Sequence, residues 1–538
     1  MTIPESPDLP GRWRILPHRS PRAAEDLRDC LVIRNEGFVL LTDSNGNLPA
    51  DNAKALGLYR DDTRYLSLWT LEIAGAELLP ILSNADLGFA MEQVFICPEL
   101  VNERRETIPA GSVQVRRQRV LDNGLLETLR LENFAAVPIS LDICFRFAGD
   151  FADIFEVRGL RRQKRGTISR PHVHADGITL RYQGLDGKGR QTRIQFDPAP
   201  QELSETAAFF KVDIPARGSA RLTASVLADS LAGSASARTS IADLRAAREN
   251  WREESTRIVT DNELVNAVLE RSLADVWMLL TRDDELRFVS SGIPWFNTLF
   301  GRDSCLTALM LLPYSTAIAR DTLRSLALLQ GRQTDASREE EPGKIVHEMR
   351  RCETALTGEV PFRRYYGSVD STPLFVLLAA EFYRWTGDLH LMKELLPAIE
   401  AALSWMDEYG DMDGDGYMEY IRRSPNGLDN QGWKDSHDAI IDERGDFLEP
   451  PIALVEVQGY VYAAKRSIAG VYAALGFDAV AARLLGDAER LRRRINRDFW
   501  LSEGYYGLAL DGAKRLSRVV ASNAGHLLWT GVPLPAQA

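Results

Sequence analysis

The stretch from Asn426 to Asp438 is polar and aperiodic, and it sets Trp433, Lys434, Asp435, Ser436, His437 and Asp438 in six consecutive positions. A tryptophan beside a carboxylate can cover the apolar face of a sugar ring while the acid reaches a ring substituent. The same residues would also serve as a solvated N-capping turn. Three other segments carry comparable groups. Trp295-Phe296 precede Gly301-Arg302-Asp303-Ser304 ahead of a helical pattern, His347-Glu348 sit between Lys344 and Arg350, and Asp370 follows Tyr365-Tyr366-Gly367-Ser368. Asp303, Ser304, Asp370 and Ser371 stand where helix N-caps are expected, so capping is the plain alternative for each.

Asp411, Asp413 and Asp415 occupy positions 1, 3 and 5 of a calcium-loop pattern, with Gly416 at position 6. Position 12, where a bidentate glutamate belongs, is Arg422, which excludes a complete EF-hand. The segment reads as an acidic turn, with a calcium site of another kind as the alternative, and no other cofactor is expected. The Arg161 to Arg165 run reads as a solvated turn.

Two kinds of element must position these groups. From Leu31 to about residue 232 the chain is a series of short β-rich runs separated by turns, among them the hairpin signal Asn45-Gly46. Strands this frequent without intervening helical periodicity predict an antiparallel β-sandwich. Beyond residue 260 the apolar period changes to 3.6, as in Val265, Leu269, Leu273 and Val276 or Leu374, Phe375, Leu378 and Phe382. About eight helices are predicted there, joined by alternately short and long loops, which reads as an α-toroid. The expected organisation is a lead-in segment (1–28), a β-sandwich domain (29–232), a linker helix (233–260) and a toroid (261–538).

Composition narrows the partners. A formal net charge of −12 argues against a nucleic-acid footprint. No run approaches the ~20 apolar residues of a membrane helix, and residues 1–29 lack the apolar centre of a signal peptide. The five cysteines are odd in number and without a CxxC pair, which favours free thiols and a cytoplasmic setting. Oligomeric state is left open.

In chain order, Gly301-Arg302-Asp303-Ser304, His347-Glu348, Tyr366 to Pro373, Asn430 to Ser436 and Val457-Gln458-Gly459-Tyr460 give a sequence that resembles the bacterial amylo-α-1,6-glucosidase, or glycogen-debranching-enzyme-like, family of six-hairpin glycosidases. Phe151 to Gly159 looks like part of that family's N-terminal β domain, and the resemblance spans about residues 30–532. It implies a β-sandwich followed by an (α/α)6 toroid, and inverting hydrolysis of α-glucosidic (α-1,6) bonds in glycogen-like or oligosaccharide substrates. By position, Asp435 is implied as general acid. Trp295, Arg302, Asp303, Asp370 and Trp433 are implied as sugar-binding residues with Phe296 and Lys434 beside them, and His347, Glu348 and Gln458 are further candidates.

Inversion needs one protonated carboxyl and a second carboxylate roughly 6.5–9.5 Å away to activate water. Asp435 would then sit in a partly desolvated site. The family's base is a glutamate C-terminal to the helix that here reads Ser522 to Trp529, and the sequence ends before that position, so an incomplete toroid and an unassigned base are expected. Two alternatives remain open: an inverting disaccharide phosphorylase, and a carbohydrate-binding pseudoenzyme that lacks the base.

Overall fold

A computed structural model describes residues 29–51, 55–75, 78–101, 107–230 and 241–538. The expected lead-in and the first part of the expected linker lie outside these residues.

The N-terminal part is an antiparallel sandwich, as predicted. One sheet has eight strands in the order Thr167–Val173, Gly177–Gln183, Gly189–Asp197, Ser219–Ser230, Leu125–Asn133, Val113–Leu121, Ala90–Ile96 and Leu79–Asn84. The second has four, ordered Glu202–Leu203, Ala207–Ile214, Ile139–Ala148 and Leu68–Ile73. Residues alternate inward and outward along the strands, so Val113, Val115, Leu129 and Leu131 of one sheet share a core with Phe145, Phe147 and Phe210 of the other. A charged cluster is embedded beside it: Glu127 accepts from Arg117 Nε at 2.5 Å, Arg119 Nε at 2.7 Å and Trp69 Nε1 at 2.7 Å, all of them buried.

Eleven helices are found among the described residues. They are α1 (Ile154–Val157), α2 (Ile241–Glu254), α3 (Glu263–Leu279), α4 (Gly301–Leu311), α5 (Thr316–Leu328), α6 (Glu353–Leu356), α7 (Ser371–Thr386), α8 (Leu389–Glu408), α9 (Val455–Ala474), α10 (Asp478–Asp498) and α11 (His526–Thr530). Helices α4, α7, α9 and α11 pack in series, while α5, α8 and α10 back them. Helices α7 and α9 are buried over most of their circumference, whereas α10 alternates a buried stripe (Leu484, Leu491, Ile495) with charge. Helix α3 forms where its apolar period predicts, yet none of its residues is buried, and Leu264, Val265 and Val268 are exposed. No helix among the described residues is long and apolar enough to cross a membrane.

The two parts join through buried polar contacts. Arg350 Nη1 donates to Asp62 Oδ1 at 2.9 Å, Tyr182 Oη to Glu353 Oε2 at 2.6 Å, and Thr354 N and Oγ1 both donate to Asp153 Oδ2. Arg162 corrects the solvated-turn reading of its basic run. Its side chain is enclosed between Glu353 and Glu359, because those carboxylates of the helical part meet the sandwich at this turn.

Candidate functional site

Successive helices of the inner series start at one place. Helix α4 begins with Gly301-Arg302-Asp303, α7 follows Asp370, α9 begins with Val455-Glu456, and a 3-10 turn Ser522–Gly525 leads into α11 at His526. A helix start presents unpaired N–H groups and first-turn side chains, so this arrangement gathers polar groups from distant parts of the chain. Gly301 lets α4 enter the cluster: a Cβ there would lie 2.1 Å from the Val346 carbonyl oxygen.

Arg302 is the centre of the cluster. Its Nη1 donates to Asp370 Oδ2 at 3.1 Å and to the Gly432 carbonyl at 2.6 Å, and its Nη2 donates to Asp435 Oδ2 at 2.9 Å. The Asp370 carboxylate is buried and also takes the Ser368 hydroxyl at 2.5 Å. Neither Asp303 nor Asp370 caps a helix with its side chain, since α4 and α7 show no side-chain cap bond. Burial pushes the Asp303 carboxyl up against the pull of Arg302. Asp435 itself has 38% side-chain exposure and Arg302 as its partner.

Trp433 forms one wall. Its ring centroid lies 4.4 Å from that of His526, with Lys434 Nζ 5.6 Å from the Trp433 centroid on another side. His526 in turn shares a 2.5 Å hydrogen bond with Tyr460 Oη, and Tyr460 meets Trp529 edge-on. A groove of about 810 Å³ runs past Trp433, His526, Trp529, Met310 and Trp385. Trp295 and Phe296 lie on the side facing the sandwich, where the Arg158 guanidinium is 5.7 Å and 5.6 Å from their ring centroids. Phe296 remains exposed.

The other predicted residues are held differently. Gln458 is fully buried and spent on backbone: Oε1 accepts from Met418 N at 2.8 Å, and Nε2 donates to Met418 O at 2.7 Å and Leu454 O at 3.1 Å. It clamps the chain and offers no group to a sugar, which corrects its place among the binding residues. His347 is buried edge-on to Phe300 and Tyr365, and burial lowers its pKa well below the usual histidine value. Glu348 is buried against Arg350 at 3.3 Å, and burial pushes its carboxyl up to about 7. Asp411, Asp413 and Asp415 form a separate acidic turn after α8.

Glu456 was not among the predicted residues. Its Oε1 accepts from Asn523 Nδ2 at 2.8 Å, while its Oε2 and Asn523 Oδ1 are buried without a partner. A Cβ on Gly432 would lie 3.5 Å from Glu456 Oε1, which puts this carboxyl directly beneath the Trp433 loop. Burial pushes it up to about 7, against the Asn523 hydrogen bond. The signal was available in the sequence: Glu456 stands in the first turn of its helix, as Arg302 and Asp303 do in theirs.

With this geometry in view, residues 33–225 match the family described as the N-terminal domain of some glycogen debranching enzymes. The match falls on the sandwich. Over most of its length the chain is also similar in fold to solved structures. One is provisionally assigned as a kojibiose phosphorylase from the human microbiome, with 9% identity, a TM-score of 0.52, and 86% of this chain and 67% of that chain covered. Another is a bacterial glucoamylase complexed with acarbose, with 10% identity, a TM-score of 0.53, and 92% and 74% covered. A comparison with curated proteins gives no match. At these identities the structures speak for the fold alone.

Proposed function

We propose that this chain acts on α-glucosidic bonds of glycogen-like or oligosaccharide substrates as a debranching-type glycoside hydrolase, with Asp435 as proton donor. The observation that carries the reading is the Arg302 bridge, which fixes Asp370 and Asp435 side by side next to the accessible ring of Trp433. A ring and a carboxyl so placed match the two demands of glycoside cleavage, a platform for the sugar and a proton for the leaving oxygen. Arg302 holds the Asp435 carboxylate in position, and a sugar seated over Trp433 would displace the water that now reaches its exposed edge. Glu456 places a second titratable carboxyl against the Gly432 end of the Trp433 loop, with one buried oxygen that no protein group satisfies. The free cysteines support a reducing, cytoplasmic setting.

The test is glucose release from α-1,6- and α-1,4-linked oligosaccharides, with and without phosphate, by this chain and by Asp435→Asn. Phosphate-independent release of the β-anomer, lost in Asp435→Asn, is expected. Release of a sugar phosphate only when phosphate is present would replace hydrolysis with phosphorolysis. Sugar binding without release in either protein would make the cleft a binding site.

A further inference from the structure

Asp411, Asp413 and Asp415 each use one carboxylate oxygen to hold their own turn. Asp411 Oδ2 accepts from Gly416 N at 2.9 Å, Asp413 Oδ1 from Asp415 N at 3.1 Å, and Asp415 Oδ1 from Tyr417 N at 2.8 Å. Candidate ligand oxygens of the three aspartates lie within 4.8 Å of one another. Glu419, whose side chain is wholly buried, brings a fourth carboxyl from the ninth position of the loop. Carboxylates this close need a cation between them.

A cation is there. Lys514 Nζ lies 2.8 Å from Asp413 Oδ2 and 2.7 Å from Asp415 Oδ2, and it also donates to Glu419 Oε1. The lysine backbone has φ 60°, in the left-handed region where glycine or asparagine is the low-cost residue, so its side chain is present at a position that disfavours one. An ammonium has only three N–H groups, and all three are used. Two oxygens of the cluster, Glu419 Oε2 and Asp411 Oδ1, are left buried without a partner. Ca²⁺ accepts six to eight oxygens and would satisfy both.

We propose that the Asp411 to Glu419 loop is a calcium-type site whose resident cation is the Lys514 ammonium, so that this chain holds the loop without metal and removal of the amine opens it to Ca²⁺. The arrangement matters for the cleft. Next to Glu419, Met418 is clamped by Gln458, and Tyr420 Oη donates at 2.9 Å to Asn430, whose Nδ2 donates at 2.7 Å to the Ser436 carbonyl beside Asp435. The cation thereby anchors the segment that frames the Trp433 loop.

Wild-type protein and Lys514→Met are compared by elemental analysis, calorimetric Ca²⁺ titration and melting in EDTA or CaCl₂. Wild type is expected to contain no calcium and to melt alike in both buffers. Lys514→Met is expected to melt lower in EDTA, to recover with Ca²⁺ but not with K⁺, and to bind one Ca²⁺ with Kd on the order of 10⁻⁵ to 10⁻³ M. Adding Asp413→Asn should abolish that uptake. Calcium in the wild type, or a rise in its melting temperature with Ca²⁺, overturns the proposal. So does a Lys514→Met protein that melts like wild type in EDTA or takes up no Ca²⁺. Should Lys514→Met be insoluble, refolding decides: recovery in Ca²⁺ but not in EDTA supports the proposal, and recovery in neither sinks it.

Discussion

Arg302 and Asp370 form a buried pair at 3.1 Å, and the other guanidinium nitrogen of the same arginine reaches the half-exposed Asp435 at 2.9 Å. One cation thus ties a fully enclosed carboxylate to an accessible one. Arg302→Met would leave Asp370 charged and uncompensated, a loss of roughly 3–5 kcal/mol. Arg302→Lys keeps a charge but loses the fork. Chemical unfolding should show the first variant far less stable than the second, and both should bind α-linked oligosaccharides more weakly than wild type. Equal stability of Arg302→Met and wild type would refute the pairing.

Trp433 should act on binding rather than on stability. Its ring is partly exposed and rests on His526 without entering a core. Trp433→Ala is expected to weaken oligosaccharide affinity by about 1 kcal/mol or more, at least roughly five-fold. The melting temperature should stay close to wild type. Unchanged affinity in calorimetry would remove Trp433 from the sugar site.

Glu456 makes a pH prediction. Burial raises its folded pKa from the usual carboxylate value to about 7, so the folded state holds the proton where the unfolded chain has lost it. The associated stability is complete below the unfolded value of about 4.5 and is lost as pH rises towards 7, a change on the order of 3 kcal/mol. Unfolding free energies measured between pH 5 and 8 should fall with this slope in wild type and fall less in Glu456→Gln. An identical pH profile in the two proteins would contradict the burial.

Glu127 behaves in the opposite sense. Burial alone would raise its pKa, but Arg117 and Arg119 outweigh that and pull it down to about 2. Its contribution is present above about 4.5 and disappears as pH falls towards 2. Glu127→Ala leaves two buried guanidiniums without their carboxylate, so a loss of roughly 3–5 kcal/mol is expected at neutral pH. The sandwich should unfold first in that variant, which tryptophan fluorescence at Trp69 would report.

The helical part was legible because its signals are local. The 3.6 period marked Leu374, Phe375, Leu378 and Phe382 as one helix, found as α7, and put two more at about 454–475 and 478–498, within a residue of α9 and α10. Two interior strands of the large sheet, Ala90–Ile96 next to one edge and Ser219–Ser230 at the centre, were not foreseen. The second buries Ala224 and Ala228 beside Leu222 and Val226, and alanine and serine carry little strand preference of their own. In the site, Arg302, Asp370, Trp433 and Asp435 were readable as motif residues, and the structure brings them together. Gln458 was misjudged because its partner, Met418, lies 40 residues away, and nothing local shows that its amide is already committed. Glu456, two positions earlier, was passed over although it stands in the first turn of its helix, as Arg302 and Asp303 do in theirs. What the sequence does not show is that its neighbours, Gly432 and Asn523, come from distant parts of the chain.

The meeting of helix starts also sets the field inside the cleft. Three helices of 11, 16 and 20 residues point their positive ends at the same place, each equivalent to roughly half a unit charge. With Arg302 and Lys434 they offset the carboxylates of Asp303, Asp370 and Asp435, so the cleft is near electrical balance in a molecule of net charge −12. An uncharged polyol can then enter without an electrostatic barrier, and anions and cations gain no general advantage over it. Discrimination is left to shape and hydroxyl geometry, and ligand uptake at this cleft should vary little with ionic strength.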